Sequence, residues 1–296
     1  MARFGIVGCG YVGSAVARRM RSLQVEVTGT TTSPNRLQDL CDLVDHPRIY
    51  CAGDANSDAS FLDDLDGLLI AMAPTSSSFE EDRYRAVYGD GVSALVKAIQ
   101  QRRRRSSLHI TYLSSSGVYG DQRGNLCNEL TPPDQTNTAN ALLVQAERSV
   151  LDLNTSLVHA CVLRLGGIYG PDKDIPAFIR RASGCRVPKN GNHINAWVHL
   201  EDIIRGVSFA WQRRLQGIYN LVDDLQLTRR QLSNALCDEE GLPPVIWDNH
   251  DREGARIFNA RVSNARLREM GFTPSVASML EQVPALDRSS GRPMEL

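Results

Sequence analysis

One stretch, FGIVGCGYVGSAVARRM (Phe4 to Met20), constrains the fold more than any other. An apolar run leads straight into Gly8, Gly10 and Gly13 in G-x-G-x-x-G order, and a helical pattern of Val12, Ala15, Val16, Met20 and Leu23 follows at once. A strand that turns this sharply into an amphipathic helix belongs in a βαβ unit. Each glycine has its own reason: Gly8 permits the tight turn, Gly10 lets the backbone approach a diphosphate, and Gly13 lets helix and strand pack closely. The free N–H groups of Tyr11, Val12 and Gly13 at the helix start, with its partial positive charge, favour phosphate.

The rest of the chain agrees with this start. Apolar runs VEVTGT, IYCAGD, LLIAMAP and LHITYLSSS alternate with helical segments Tyr11 to Leu23, Asn35 to Leu43 and Arg83 to Arg103. Such alternation predicts an α/β fold with a doubly wound, Rossmann-type parallel sheet. It continues through a helix at Thr136 to Leu153 and the strand LVHACVLRL, and turns irregular after Gly170-Pro171. A helix near Leu200 to Arg213, a strand GIYNLV and a helix starting near Thr228 follow. We expect a dinucleotide-binding domain over 1–170 and a smaller substrate lobe over 171–296, partly woven back into the sheet.

With 42% apolar residues in 296, the chain can bury a large core. Lysine and arginine number 33 against 34 acids, a net charge of −1, so no overall field attracts nucleic acid or an anionic membrane surface. The run Arg102 to Arg105 reads as cations complementing a helix C-terminus, since no aromatics are interleaved with it. No apolar run approaches a membrane span, and a cytoplasmic location is the default expectation. Seven cysteines without a C-x-x-C pair predict reduced thiols and no metal site.

The second strand carries the cofactor preference. Thr28 to Arg36, TGTTTSPNR, contains no acid to accept from adenosine ribose hydroxyls, which favours NADP over NAD. Thr31, Thr32, Ser33 and Arg36 are the 2′-phosphate candidates, although Arg36 can equally be a solvated helix residue. Asp54 could accept from the adenine amino group or serve as a plain turn aspartate. Ala73, beside the end of LLIAMAP, completes the cofactor set.

Five further motifs, YLSSSGVYGD, Glu129 with LTPPD, VLRLGGIYGP, NAWVHLEDI and GIYNLVDD, together with the opening GIVGCGYVG, resemble the extended short-chain dehydrogenase/reductase superfamily in its NAD-dependent epimerase/dehydratase branch. Within it the chain resembles the atypical YeeZ-type group. The resemblance spans nearly the whole chain and implies an NAD(P)-dependent oxidoreductase or epimerase acting on a small, sugar-like substrate. It also implies that Ser115, flanked by Ser114 and Ser116, binds the reacting oxygen.

In that family a tyrosine and a lysine four residues apart on the next helix move the proton, with a glutamate four residues after the lysine. Taking Glu147 as that marker puts Ala139 and Leu143 in their places, and Thr138 to Ala146 holds no tyrosine, lysine or histidine. Loss of a general acid removes on the order of 10²- to 10⁴-fold in rate. Tyr119, Tyr169, His193 and His199 are the titratable substitutes, with Arg164 available to hold an anionic group; His199 and Asp202 match an element that anchors the substrate lobe. Leu142, Leu143, Val144 and Ala146 form an apolar face suited to packing, and by resemblance to a homodimer. The alternative to an enzyme is a non-catalytic dinucleotide sensor or scaffold.

Overall fold

A computed structural model describes residues 1–54, 56–74, 81–102, 107–251, 256–276 and 278–281. Strands β1 (Arg3–Val7), β2 (Glu26–Thr31), β3 (His46–Ile49), β4 (Gly67–Ile70), β5 (Leu108–Ser115), β7 (Val158–Leu165) and β11 (Gly217–Leu221) form one parallel sheet in the order β11-β7-β5-β4-β1-β2-β3. The order reverses at β1, which pairs with β2 on one side and β4 on the other, Ile6 lying between Gly29 and Leu69. In an open α/β sheet, ligands settle in the crevice beyond the strand ends at this reversal.

Both faces of the sheet are covered, which is why its strands read as nearly continuous apolar runs. Helices α1 (Tyr11–Ser22) and α7 (Leu200–Arg213) lay Val16, Met20, Ile203 and Val207 against Phe4, Ile6 and Leu163. On the other face α4 (Val92–Gln100) and α5 (Thr138–Leu151) lay Leu95, Ala146 and Val150 against Val7, Ile70, Ile110 and Val162. The short α2 (Leu37–Cys41) and α3 (Glu81–Tyr84) complete this half.

Beyond β7 the chain leaves the sheet and returns. Short parallel pairs join β8 (Gly167–Tyr169) to β10 (Trp197–His199), β9 (Arg186–Asn190) to β12 (Ile246–Asp248), and β6 (Asp121–Cys127) to β13 (Asn259–Val262). α6 (Ile175–Arg181) and α8 (Arg229–Glu239) close a separate core of Tyr169, Leu232, Leu236, Val245 and Met279, while α7 and β11 rejoin the main layer. Thr228 and Gln231 make a reciprocal capping box at the start of α8, and α9 (Ala265–Glu269) packs near β11.

Two expectations need correction. The third strand is His46–Ile49, not IYCAGD: it is a half-polar edge strand in which Pro47 is tolerated, and Tyr50 is buried past its end, ring to ring with Phe61 at 5.2 Å. The helix from Arg83 is not continuous either, because Arg85–Gly91 is π-helical before α4 begins, and Gly89 and Gly91 lie within that turn. Arg102 caps the end of α4 through its Nε–H to the Ile99 carbonyl, whereas Arg103 to Arg105 lie outside the described residues. Among the described residues no helix is long and apolar enough to cross a membrane.

Candidate functional site

The glycine loop divides its work as the motif requires. Gly8 has φ +101°, and a Cβ there would lie 2.7 Å from the Ala71 carbonyl oxygen on the next strand's extension; a Cβ at Gly13 would lie 2.2 Å from the Gly8 oxygen. A Cβ at Gly10 meets nothing within 4 Å, so this glycine faces open space over the crevice. Thr30, which sequence patterning passed over, holds the loop: its Oγ1 accepts from Gly8 N–H at 3.1 Å and its carbonyl from Cys9 N–H at 2.9 Å. No side chain caps α1 and no acid lies in its first turn, so the Tyr11, Val12 and Gly13 amides remain at an uncompensated positive end.

Thr31 ends β2, and beyond it a cleft of about 370 Å³ is lined by Cys9, Ser14, Arg18, Thr31, Arg36 and Asp39. Arg36 reaches back to donate to the Cys9 carbonyl at 3.1 Å, which ties it to the loop. Arg18 is the residue missed by sequence reasoning; its signal was its i+4 spacing from Ser14 on the α1 face. Thr31 Oγ1 accepts from Ser33 N–H at 3.2 Å, and Thr32 is exposed. Ala73 lies exposed past β4, while Asp54 caps its own turn by accepting from Asn56 N–H at 2.9 Å. Tyr11 leans across the crevice mouth: its hydroxyl donates to the Pro171 carbonyl and Lys173 Nζ sits 4.6 Å from its ring centroid.

At the end of β5 the three serines separate. Ser114 donates to Glu147 Oε1 at 2.6 Å, and Glu147 also receives Arg164 Nε at 3.0 Å and Nη2 at 2.7 Å in an ion pair whose side chains are 2–3% exposed. Burial opposes charge on Arg164, but the paired carboxylate outweighs it and raises its pKa. Arg164 Nε and Nη2 are thus engaged by Glu147 and its guanidinium lies 5.0 Å from the Tyr119 ring centroid, while Nη1 is buried without a hydrogen-bond partner among the described residues. Ser116 is buried, and Ser115 Oγ accepts from Gly117 N–H at 3.1 Å, which leaves its own proton to donate.

The two tyrosine candidates sit in closed networks. Tyr119 is fully buried and donates to Asn220 Oδ1 at 2.8 Å; Tyr169 is 2% exposed and donates to Asp223 Oδ2 at 3.0 Å. Burial raises both phenol pKa values, and Asp223 raises that of Tyr169 further. Neither phenol has a free proton aimed at the crevice. His199 accepts from Glu201 N–H at 3.2 Å as the N-cap of α7, and Asp202 accepts from Ser275 and Val276, so both fasten the lobe. His193 is buried, 3.4 Å from Asp251.

On α5 the positions of the absent proton pair are sealed: Ala139 is fully buried and Leu143 is 3% exposed, packed with Val118, Val144 and Tyr88. The apolar face of the helix is used inside the chain.

The pattern of the NAD dependent epimerase/dehydratase family matches residues 6–221. The chain belongs to that family. Protein YeeZ of Escherichia coli strain K12 is 28% identical over 283 residues, 92% of this chain and 95% of that one. Among solved structures, a functionally unknown conserved protein from Silicibacter pomeroyi superposes with a TM-score of 0.69 at 23% identity, covering 94% and 95% of the two chains. A Thermus thermophilus UDP-glucose 4-epimerase in complex with NAD gives 0.74 at 18% identity over 93% and 94%. The likenesses to solved structures agree with the sheet order, and they extend over nearly the whole chain.

Proposed function

We propose that this family member is an NADP-dependent oxidoreductase or epimerase for a small, sugar-like substrate. The observation that carries it is the pair formed by Gly10, whose Cβ position is open, and the uncapped start of α1. A diphosphate laid there would accept from the first-turn amides, with no side chain at Gly10 in its way. The chain's residues fit the dinucleotide: Gly8 to Gly13 would hold its diphosphate, and Ala73 would border it at the sheet reversal. Bound, such a cofactor carries hydride to or from the substrate. Ser115, with its proton free, would orient the reacting oxygen, while Tyr119 and Tyr169 would shape the wall behind it.

Preference for NADP over NAD rests on the cleft beyond β2, where Thr31 and Arg36 share the lining with Arg18, Thr32 and Ser33 follow in the chain, and no acid occupies the strand end. Asp39 and Asp42 line the same cleft and temper its positive charge. Calorimetry with NADPH and NADH on the wild type and on Arg36→Ala with Arg18→Ala tests this. We expect NADPH to bind at least about tenfold tighter than NADH, and the double variant to lose that preference through NADPH alone. Equal affinities in the wild type would remove the NADP assignment; no binding of either would remove the function. The sealed positions of Ala139 and Leu143 favour a second reading, a dinucleotide sensor without turnover. Tight NADPH binding with no oxidation across a carbonyl and nucleotide-sugar panel selects it. Any homodimer built on α5 would use its exposed Gln145 and Arg148, and sedimentation velocity measures it.

A further inference from the structure

Facing the serine of β5 is an arginine that no motif marked. Arg256 Nε donates to Asn140 Oδ1 at 2.9 Å, and Asn140, one residue after Ala139, is 1% exposed. That bond fixes the amide, so Asn140 Nδ2 points away from Arg256's Nε as a donor; it and Arg256 Nη2 are both buried with no hydrogen-bond partner among the described residues. The ideal Cβ position of Gly117 lies 2.7 Å from Arg256 Nη2 and 3.0 Å from Ser115 Oγ. Nη2 and Oγ are therefore no farther apart than the sum of those distances, a gap that one acceptor oxygen bridges with two hydrogen bonds. Tyr84 and Tyr88, with rings 5.4 Å apart, flank the guanidinium. Among the described residues no carboxylate pairs with it.

We infer that Arg256, Asn140 and Ser115 form a binding site for a substrate carboxylate, at the place on α5 where the family keeps its proton-transfer pair. Two buried N–H donors without acceptors, one of them on a guanidinium, are unfavourable alone and become favourable when an anionic oxygen joins them. The planar fork of arginine matches a carboxylate. Gly117 is part of the site, since any side chain there would displace the guanidinium. The substrate class is thereby narrowed to a small acid, such as a sugar acid or hydroxy acid. This inference rests on the crevice being the substrate cleft of the proposed enzyme.

The test is calorimetry of the full chain, free and saturated with NADPH, against glycolate and pyruvate, with their neutral amides and inorganic phosphate as controls. We expect a carboxylate to bind and the amides and phosphate not to. Arg256→Met and, independently, Gly117→Ala should each weaken carboxylate binding at least about tenfold, with Arg256→Lys intermediate. Gly117 has an ordinary φ, so Gly117→Ala keeps a testable fold if Arg256→Met does not. Carboxylate affinity unchanged by both substitutions, or equal binding of the amides, or tighter binding of phosphate, would overturn the site. So would a wild type that binds no carboxylate. NADPH affinity measured on the same samples reports the cofactor assignment separately: if it is absent while carboxylate binding survives, only the earlier reading falls.

Discussion

Changing Glu147 to glutamine removes one charge from the Arg164–Glu147 pair and leaves the other buried. In the native chain the carboxylate accepts three hydrogen bonds, from Arg164 Nε, Arg164 Nη2 and Ser114 Oγ, with both charged side chains 2–3% exposed. Glutamine offers one oxygen, and its NH₂ group would confront one of those donors. Breaking a buried pair from one side costs roughly 3–5 kcal/mol, because the remaining charge stays desolvated without a partner. For a chain of this size that corresponds to a fall in Tm of roughly 5–15 °C. Replacing both residues by methionine leaves no stranded charge and should cost far less than Glu147→Gln alone. Urea denaturation of wild type, Glu147→Met, Arg164→Met and the double variant closes the cycle, with Glu147→Gln measured beside it. A Glu147→Gln loss below about 1 kcal/mol, or a double variant no better than the worse single, would refute the reasoning.

Three further outcomes follow from the geometry. Gly10→Ala should leave the melting temperature unchanged yet weaken NADPH binding at least about tenfold, whereas Gly13→Ala should destabilise the fold itself, its Cβ falling 2.2 Å from the Gly8 oxygen; thermal melts with cofactor titration separate them. Burial raises the Asp223 carboxyl to about 7, with Asp224 and Asp202 adding to it and Leu225 N–H and Tyr169 opposing. The folded pKa is above the unfolded one, so ionisation penalises the native state: the penalty is absent below pH 4, grows up to pH 7 and is complete beyond it, on the order of 4 kcal/mol. Asp223→Asn should flatten the fall of denaturation free energy between pH 4 and 8; an unchanged slope would put the titration elsewhere.

How much of this was legible depended on whether a residue's role was local. The roles assigned to Gly8 and Gly13 could be read directly, because a tight turn and a close helix–strand approach are set within a few residues. α7 begins and ends at the expected residues, Leu200 and Arg213, since its apolar face and its N-cap His199 lie in one short stretch. β3 misled because an edge strand needs no apolar run, and the apolar Tyr50 and Ala52 lie beyond its end. Thr30 and Arg164 act through partners 22 and 17 residues away, and Arg256 reaches Asn140 across 116 residues. Nothing in HDREGARIF announces that contact, which exists only once the lobe folds over the β5 end.

The absence of the proton pair and the presence of Arg256 are connected through α5. A helix that presents tyrosine and lysine to a crevice must keep one face polar and partly open. Here the same face carries Ala139 and Leu143, both buried, and the next residue, Asn140, turns its amide to a guanidinium from another part of the chain. Under the proposed function, a reacting oxygen at Ser115 would have no phenol to donate to it but would have a cation nearby, so that charge stabilisation would take the place of a tyrosine acid. Such a site would lack the steep pH–rate limb of a tyrosine general acid, because arginine stays charged across the working range. A rate profile that instead rises or falls with a phenol-like pKa would point back to Tyr88, whose hydroxyl burial pushes up to about 12 beside Arg256.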